Sequence, residues 1–445
     1  MRRAVAVAAA AVAVAGAPAA AAPIAQTQCF GAAKGCTPAV GLEGAAAVAV
    51  SPDATSVYVG GNVEEHGVLG VYARDPATGA LTQLECFADP YSAEATPGGG
   101  CTANEALFGV NDVAVSRDGL TVYALGILPG SIGVFRRDPA TGMLTPIQCV
   151  QADWSNPTSC PRVKFDNAWK FALTPDGTGL VVLGSLMTSL SVDADGLLSK
   201  PVVQRVPGVS SPAAIAIGAN SRTVYAAGGD EESGKVSVLR RDPATQTLSV
   251  RACSADNDSG KACRRAYAVD GPADLALSPD GRGLYLAANS FKPRNEDNPF
   301  GFAGSILSSA VSVFAPTNVT QRACLMYAGR ASRRHGCHHA PTARGAGFFG
   351  ANAIAVTPNG KAAVAGFDKS SAVAVLLRNP RTQGLSVPPG DGGCVRDAAR
   401  TSSIPRGCAT GRGIGQPNDV AISPDTRSAY VTSPGGLTVF ALALG

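Results

Sequence analysis

Apolar and polar positions alternate along most of the chain, and the alternation recurs as one repeated unit. The unit opens on a short period-two run closed by a tight turn: AVAVSPD ending at Asp53, DVAVSRDG at Gly119, KFALTPDG at Gly177, AIAIGANS at Ser221, DLALSPDG at Gly281, AIAVTPNG at Gly360 and DVAISPD at Asp425. Period two places successive side chains on opposite faces, which predicts strands and excludes amphipathic helices. A second strand follows at once as VYV, VYA, VYA, LYL or AYV, with Tyr58, Tyr123, Tyr225, Tyr285 and Tyr430 at corresponding places. β-Branched and aromatic residues suit a pleated surface. A third strand comes later, as in LGVYAR, IGVFRR, VSVLRR, VSVFAP and VAVLLR. Four of these enter turns that begin Asp75-Pro76, Asp138-Pro139, Asp242-Pro243 and Asn379-Pro380, the first two ending at Gly79 and Gly142. Proline presets the turn dihedral and glycine accepts positive φ, so each is a hairpin into a fourth strand such as LTQLEC or LTPIQC.

Seven such units without a helical period predict an all-β fold, a seven-bladed β-propeller of four-stranded antiparallel blades. A sandwich or two separate β domains fit poorly, because the same column recurs from end to end without a linker. Every first strand carries an alanine at one position: Ala49, Ala114, Ala172, Ala216, Ala276, Ala355 and Ala421. Innermost strands crowd near the axis, so one face must be small while bulky neighbours such as Val48 and Val50 fill the gap between blades. The ends supply the closure. After Asp425 only two strands remain, at 429–432 and 437–440, whereas 24–30 reads as a fourth strand with no blade before it. Pairing the two closes the ring and removes an exposed sheet edge. A length of 445 residues would ordinarily suggest several domains, but the repeat makes 23–445 a single one.

Composition narrows the setting. Charged residues are 16% and hydrophobic ones 45%, enough to build a large core. The formal charge of +4 is small and its arginines are scattered, so no nucleic-acid track is expected. Residues 1–22 place Arg2 and Arg3 before an Ala/Val run and then small residues, the layout of a secretory signal peptide cleaved near Ala20 to Ala22. The run from Ala4 to Ala15 is too short to span a bilayer comfortably, and no later segment is long and apolar enough, so no membrane span is expected. The arginine pair alone does not specify twin-arginine export. The expectation is a secreted or otherwise extracytoplasmic protein.

The 12 cysteines fall into sequential pairs: Cys29 and Cys36, Cys86 and Cys101, Cys149 and Cys160, Cys253 and Cys263, Cys324 and Cys337, Cys394 and Cys408. Each pair brackets the link from a fourth strand to the next blade, and an even count in an exported chain predicts local disulfides. The bracketed links and the second-to-third-strand links emerge on one face, where loops carry function over a rigid scaffold.

SPDxxxVYV followed by VYARDPATGALTQL or VFRRDPATGMLTPI resembles the lactonase-like seven-bladed propeller family and the related YVTN-repeat surface proteins, over nearly all of the chain after residue 22. The resemblance implies the propeller fold and a family that includes 6-phosphogluconolactonases and a muconate cycloisomerase-type enzyme. No catalytic residue of that family maps onto this chain, and the cysteine brackets depart from the cytoplasmic enzymes.

Aligned on the alanine column, the position two residues earlier reads Ala47, Asp112, Lys170, Ala214, Asp274, Ala353 and Asp419. The position before that reads Ala46, Asn111, Trp169, Ala213, Ala273, Asn352 and Asn418. Both lie where the chain enters the central channel. Hydrolysis of a lactone needs a base to activate water and donors to hold the oxyanion, which makes Asp112, Asp274 or Asp419 with Lys170 the candidate catalytic group. Asn111, Trp169, Asn352 and Asn418 are candidate ligand contacts. The competing reading is that these Asp and Asn side chains satisfy loose backbone groups at the strand entries. Arg333 to His339 holds three of the four histidines, but Cys337 is committed to Cys324, so no metal site is expected. Arg294 to Asn298 lacks calcium-loop spacing, and the acidic stretches at Glu64-Glu65 and Asp230 to Glu232 read as solvated loops. Asn257 and Asn318 are sequons of consequence only in a glycosylating host. No nucleophile elbow, phosphate loop or haem motif occurs, so no cofactor is expected. The function expected is a secreted, disulfide-braced binding or interaction module for a small polar ligand or a protein partner. The alternative is a lactonase-type hydrolase of a sugar or other lactone at the channel mouth.

Overall fold

The alternating runs fold as seven sheets, each ordered from an inner first strand outwards. The computed structural model describes residues 22–444 except 64–65, 93–98, 128–129, 153–158, 165–167, 207–211, 230–233, 257–262, 293–304, 329–336, 340–348, 389–391 and 400–406. The signal-peptide stretch up to residue 21, the acidic stretches at 64–65 and 230–232, the 294–298 run, Asn257 and His335 therefore lie outside the described residues. Blade two shows the plan: Val110–Val115, Thr121–Gly126, Ser131–Arg137 and Leu144–Ala152 pair antiparallel in sequence order. Among the described residues no helix is long and apolar enough to cross a membrane.

Blade seven comprises Asp419–Ile422, Ser428–Ser433 and Gly436–Leu442, and its outer strand is Ile24–Gly31 from the other end of the chain. The register runs antiparallel from Ile24 opposite Leu442 to Gly31 opposite Gly436, the closure that the strand count at the two ends predicts. The Gln26 amide adds a two-way tie, donating to the Arg412 carbonyl at 2.7 Å and accepting its N–H at 2.8 Å.

The core is a set of seams. Each of the seven gaps between neighbouring blades has its own apolar cluster. Val48 packs toward blade seven with Tyr430 and Val439, while its neighbour Ala49 faces blade two with Val113 and Val122. A small residue on one face and a branched one on the other follows from strand alternation in a wedge-shaped gap.

At four seams a buried arginine ends the third strand. Arg241 bonds to Gln246 and the Ser221 carbonyl with Asp176 4.0 Å away, and the other three meet a tyrosine and an aspartate of the preceding blade. Arg74 donates to the Tyr430 hydroxyl at 2.6 Å, the Ala54 carbonyl at 2.8 Å and the Asp425 carboxylate at 2.9 Å. Arg137 makes the corresponding bonds to Tyr58, the Gly119 carbonyl and Asp53. Arg378 makes them to Tyr285, the Gly360 carbonyl and Asp280. Tyrosine and aspartate belong to one blade and arginine to the next, so each guanidinium rivets a seam.

All six cysteine pairs are disulfides. They do more than staple loops. Each turns the chain so that residues beside or just after its second cysteine run parallel to the fourth strand, as Thr102–Ala103 does beside Phe87–Ala88 and Ala409–Gly411 beside Val395–Asp397. The blade thereby gains a short outer strip that pattern reading did not predict. Exposed His338 sits in such a strip, and the described residues contain no cluster of three metal-ligating side chains.

Candidate functional site at the channel mouth

The first strands enter the ring through a recurring irregularity. In five blades the register with the second strand slips by one residue at the entry, and the skipped residues are Ala46, Asn111, Ala213, Ala273 and Asn352. A bulge sets two residues against one and re-aims the extra side chain. Here four of those five, Ala46, Asn111, Ala273 and Asn352, come to line a cavity of about 430 Å³ together with Asn418 of blade seven. Lys170, Asp274 and Asn289 complete its polar wall.

Of the eight residues singled out from sequence, Asn111, Lys170, Asp274, Asn352 and Asn418 line this cavity. Asp112 and Asp419 do not, although both interact electrostatically with Lys170. Trp169 stays 48% exposed and is not part of the cavity wall. Asn289, from blade five's second strand, lies outside the aligned columns and was missed. No repeat position marks it.

The side chains at the entries are heavily used by the scaffold. Asp112 accepts the N–H of Val113 at 3.0 Å and that of Phe171 in the next blade at 2.9 Å. Asp274 accepts those of Leu275 and Ile354, both at 2.8 Å, and Asp419 those of Val420 at 2.8 Å and Val48 at 2.9 Å. The amides complement them: Asn111 donates to the Trp169 carbonyl, Asn352 to that of Pro417 and Asn418 to that of Ala45. Each Asp and Asn thus straps its blade to the following one, and the strand-entry reading accounts for all six side chains.

Electrostatics distinguishes the members. Burial raises the Asp112 carboxyl to about 6, against the pull of Lys170, whose Nζ lies 4.0 Å away, and of the N–H donors. Burial and then repulsion from Asp419 raise Asp274 to about 7, outweighing Lys170 and two N–H donors. Burial disfavours the Lys170 ammonium, but Asp112, Asp419 and Asp274 together hold its pKa above the ordinary lysine value. The result is a fixed cation in electrostatic contact with two carboxyls raised to about 6 and about 7, the first of them 4.0 Å away. Asn289 contributes something different, because its Oδ1 is buried and has no hydrogen-bond partner among the described residues. A buried acceptor left unmatched costs free energy, so such atoms call for an explanation.

No protein-family model matches the chain, and no curated protein matches it in sequence. Solved structures do match. A candidate 6-phosphogluconolactonase from Bacteroides uniformis superposes with a TM-score of 0.51 at 20% identity, covering 76% of this chain and 82% of its own. A second candidate 6-phosphogluconolactonase, from Bacteroides fragilis, gives 0.52 at 16% identity over 77% and 82%. The likeness is one of fold, a seven-bladed β-propeller such as these two proteins share. Hydrazine synthase from Kuenenia stuttgartiensis gives 0.54 at 16% identity over 93% and 100%, so likeness at this level speaks for architecture and is silent on chemistry.

Proposed function

We propose that the chain is an exported, disulfide-braced propeller that binds a small polyhydroxylated or carboxylate ligand at the channel mouth. The observation that carries this reading is Asn289: a buried amide oxygen without a partner among the described residues, on the wall of a cavity that also holds Lys170. A ligand hydroxyl satisfies the amide oxygen, and an anionic or hydroxyl oxygen meets the ammonium. A volume of about 430 Å³ accommodates a molecule of sugar size. Export is supported by the layout of residues 1–22 and by six disulfides, which persist in oxidising compartments.

A second reading, hydrolysis of a sugar or other lactone, is favoured by one feature: a cavity-lining carboxyl, Asp274, raised to about 7 in a wall that also holds the Lys170 ammonium. In that reaction Asp274 takes a proton from water as the water oxygen attacks the lactone carbonyl, Lys170 holds the oxyanion, and the ring oxygen leaves with the proton returned by Asp274. Against it, both Asp274 oxygens already accept backbone N–H bonds.

Turnover on a panel of sugar and aromatic lactones, with Asp112, Asp274 and Asp419 each changed to Asn, separates the readings. A hydrolase loses on the order of 10² to 10⁴-fold in rate in at least one variant whose folding is unchanged. The binding module shows no turnover above buffer in the parent, and the substitutions alter ligand affinity only.

A further inference from the structure

The seam between blades two and three breaks the arginine rule in one respect. By backbone register Val192 takes the place of Arg74, Arg137 and Arg378, since its N–H bonds to Thr178 as theirs bond to Thr55, Leu120 and Lys361. The groups that hold the guanidinium elsewhere nevertheless remain. Tyr123 stands where Tyr58, Tyr285 and Tyr430 stand, and its hydroxyl donates to the Gly196 carbonyl at 2.7 Å as Tyr58 does to Gly142. Asp118 occupies the turn position of Asp53, Asp280 and Asp425, its Oδ1 held by Ser116 and the Leu120 N–H. The Gly177 carbonyl corresponds to those of Gly119 and Gly360.

The other seams lacking the full set differ. Between three and four Arg241 and Asp176 remain and Val181 replaces the tyrosine, while the remaining two have lost the aspartate along with the arginine. The gap between blades six and seven has Leu442, Asn359 and Val364, and that between four and five has Asn220 in place of the aspartate. Only between two and three do tyrosine and aspartate both persist without the arginine.

The short Val192 side chain leaves room. A cavity of about 490 Å³ opens there, on the face opposite the channel mouth, with Asp118, Thr121, Tyr123, Gly177 and Val192 in its wall. A Cβ on Gly119 would come within 3.6 Å of Arg137 Nη1 and one on Gly360 within 3.1 Å of Arg378 Nη1, whereas one on Gly177 would meet nothing within 4 Å. Asp176 and Asp193 add negative charge to the wall. Its one cation, Arg117, directs its guanidinium to the Pro175 carbonyl at 3.0 Å. Among the described residues Asp118 forms no salt bridge.

We propose that this seam is a binding site for an alkylguanidinium, supplied by free arginine or a related metabolite or by an arginine side chain of a partner. The template is internal: three seams of the same chain bind a guanidinium through the same tyrosine, aspartate and turn carbonyl. A planar fork donates to all three at once, which a single ammonium does not do.

Calorimetric titration with ethylguanidinium and with butylammonium, below denaturing concentrations, tests the site. The parent should bind ethylguanidinium saturably at one site and butylammonium roughly tenfold more weakly. Asp118→Asn should weaken ethylguanidinium by about tenfold. Val192→Arg should fill the site in cis, raise the melting temperature and abolish binding. L-Arginine and a capped Gly-Arg-Gly peptide then distinguish the sources, since selective binding of either assigns the site to a free metabolite or to a protein partner. Absence of saturable binding in the parent, or binding that Asp118→Asn leaves intact, overturns the proposal whether or not the Val192 variant folds.

Discussion

Asp419, at the entry of the last blade, accepts the backbone N–H of Val48 in the first blade at 2.9 Å across 371 residues of sequence. Its other oxygen takes the Val420 N–H, so one side chain joins the ends of the ring on the axis. The Ile24–Gly31 strand joins them at the rim. Replacing Asp419 by Ala strands two part-buried donors and should cost roughly 1–3 kcal/mol, read as a lower melting temperature. Asp195→Ala, on an exposed hairpin, should change stability by no more than about 0.5 kcal/mol.

Removing residues 24–30 tests closure at the rim. The deletion bares the Gly436–Leu442 edge, and aggregation or early melting should follow. A truncated chain that melts like the parent would mean that the ring does not depend on this strand.

The riveted seams make a sharper prediction. Arg137 is 2% exposed and bonds to Tyr58, Asp53 and the Gly119 carbonyl, so Arg137→Met leaves those acceptors without their cation. Breaking a buried pair from one side costs about 3–5 kcal/mol, and denaturant unfolding should show a loss of that order. Adding Tyr58→Phe should cost less than the sum of the singles, because the two share a bond.

The pH dependence carries two opposite signs. Asp53 is held at about 2, since hydrogen bonds from Ser51, Thr55 and Arg137 outweigh burial; its contribution is present above the unfolded value of 3.8 and lost as pH falls toward 2. Asp274 is raised to about 7, so between 3.8 and 7 the folded protein keeps a proton that the unfolded chain has released, and stability falls as pH rises through that window. Melting temperatures from pH 4 to 8 should show that fall in the parent and a shallower one in Asp274→Asn.

Much of this was legible in the sequence for a physical reason: the repeat compares the chain with itself. The SPD turns, the tyrosine column and the Asp-Pro hairpins specify strands and turns locally, and the two incomplete ends specify closure. Asp112, Lys170, Asp274 and Asp419 were legible as one group because each occupies the same repeat position. What the repeat does not encode stayed hidden. Asn289 lies outside the columns, and Trp169 sits in a column yet remains outside the cavity wall. The arginines read only as scattered charge, since only the fold shows that Arg137 meets Tyr58 of the preceding blade. The pairing of arginine with the previous repeat's tyrosine and aspartate was the available signal.

The central claim is that the mouth cavity binds a small polyhydroxylated or carboxylate ligand through Lys170 and Asn289. Calorimetric titration of the parent with a panel of sugars, sugar acids and their lactones, repeated on Asn289→Ala and Lys170→Met, tests it most directly. At least one compound should bind saturably at one site per chain, and both substitutions should weaken it by about tenfold or more, the loss expected when a hydrogen bond to a charged or buried group is removed. No saturable binding across the panel, or binding indifferent to both substitutions, would contradict the account.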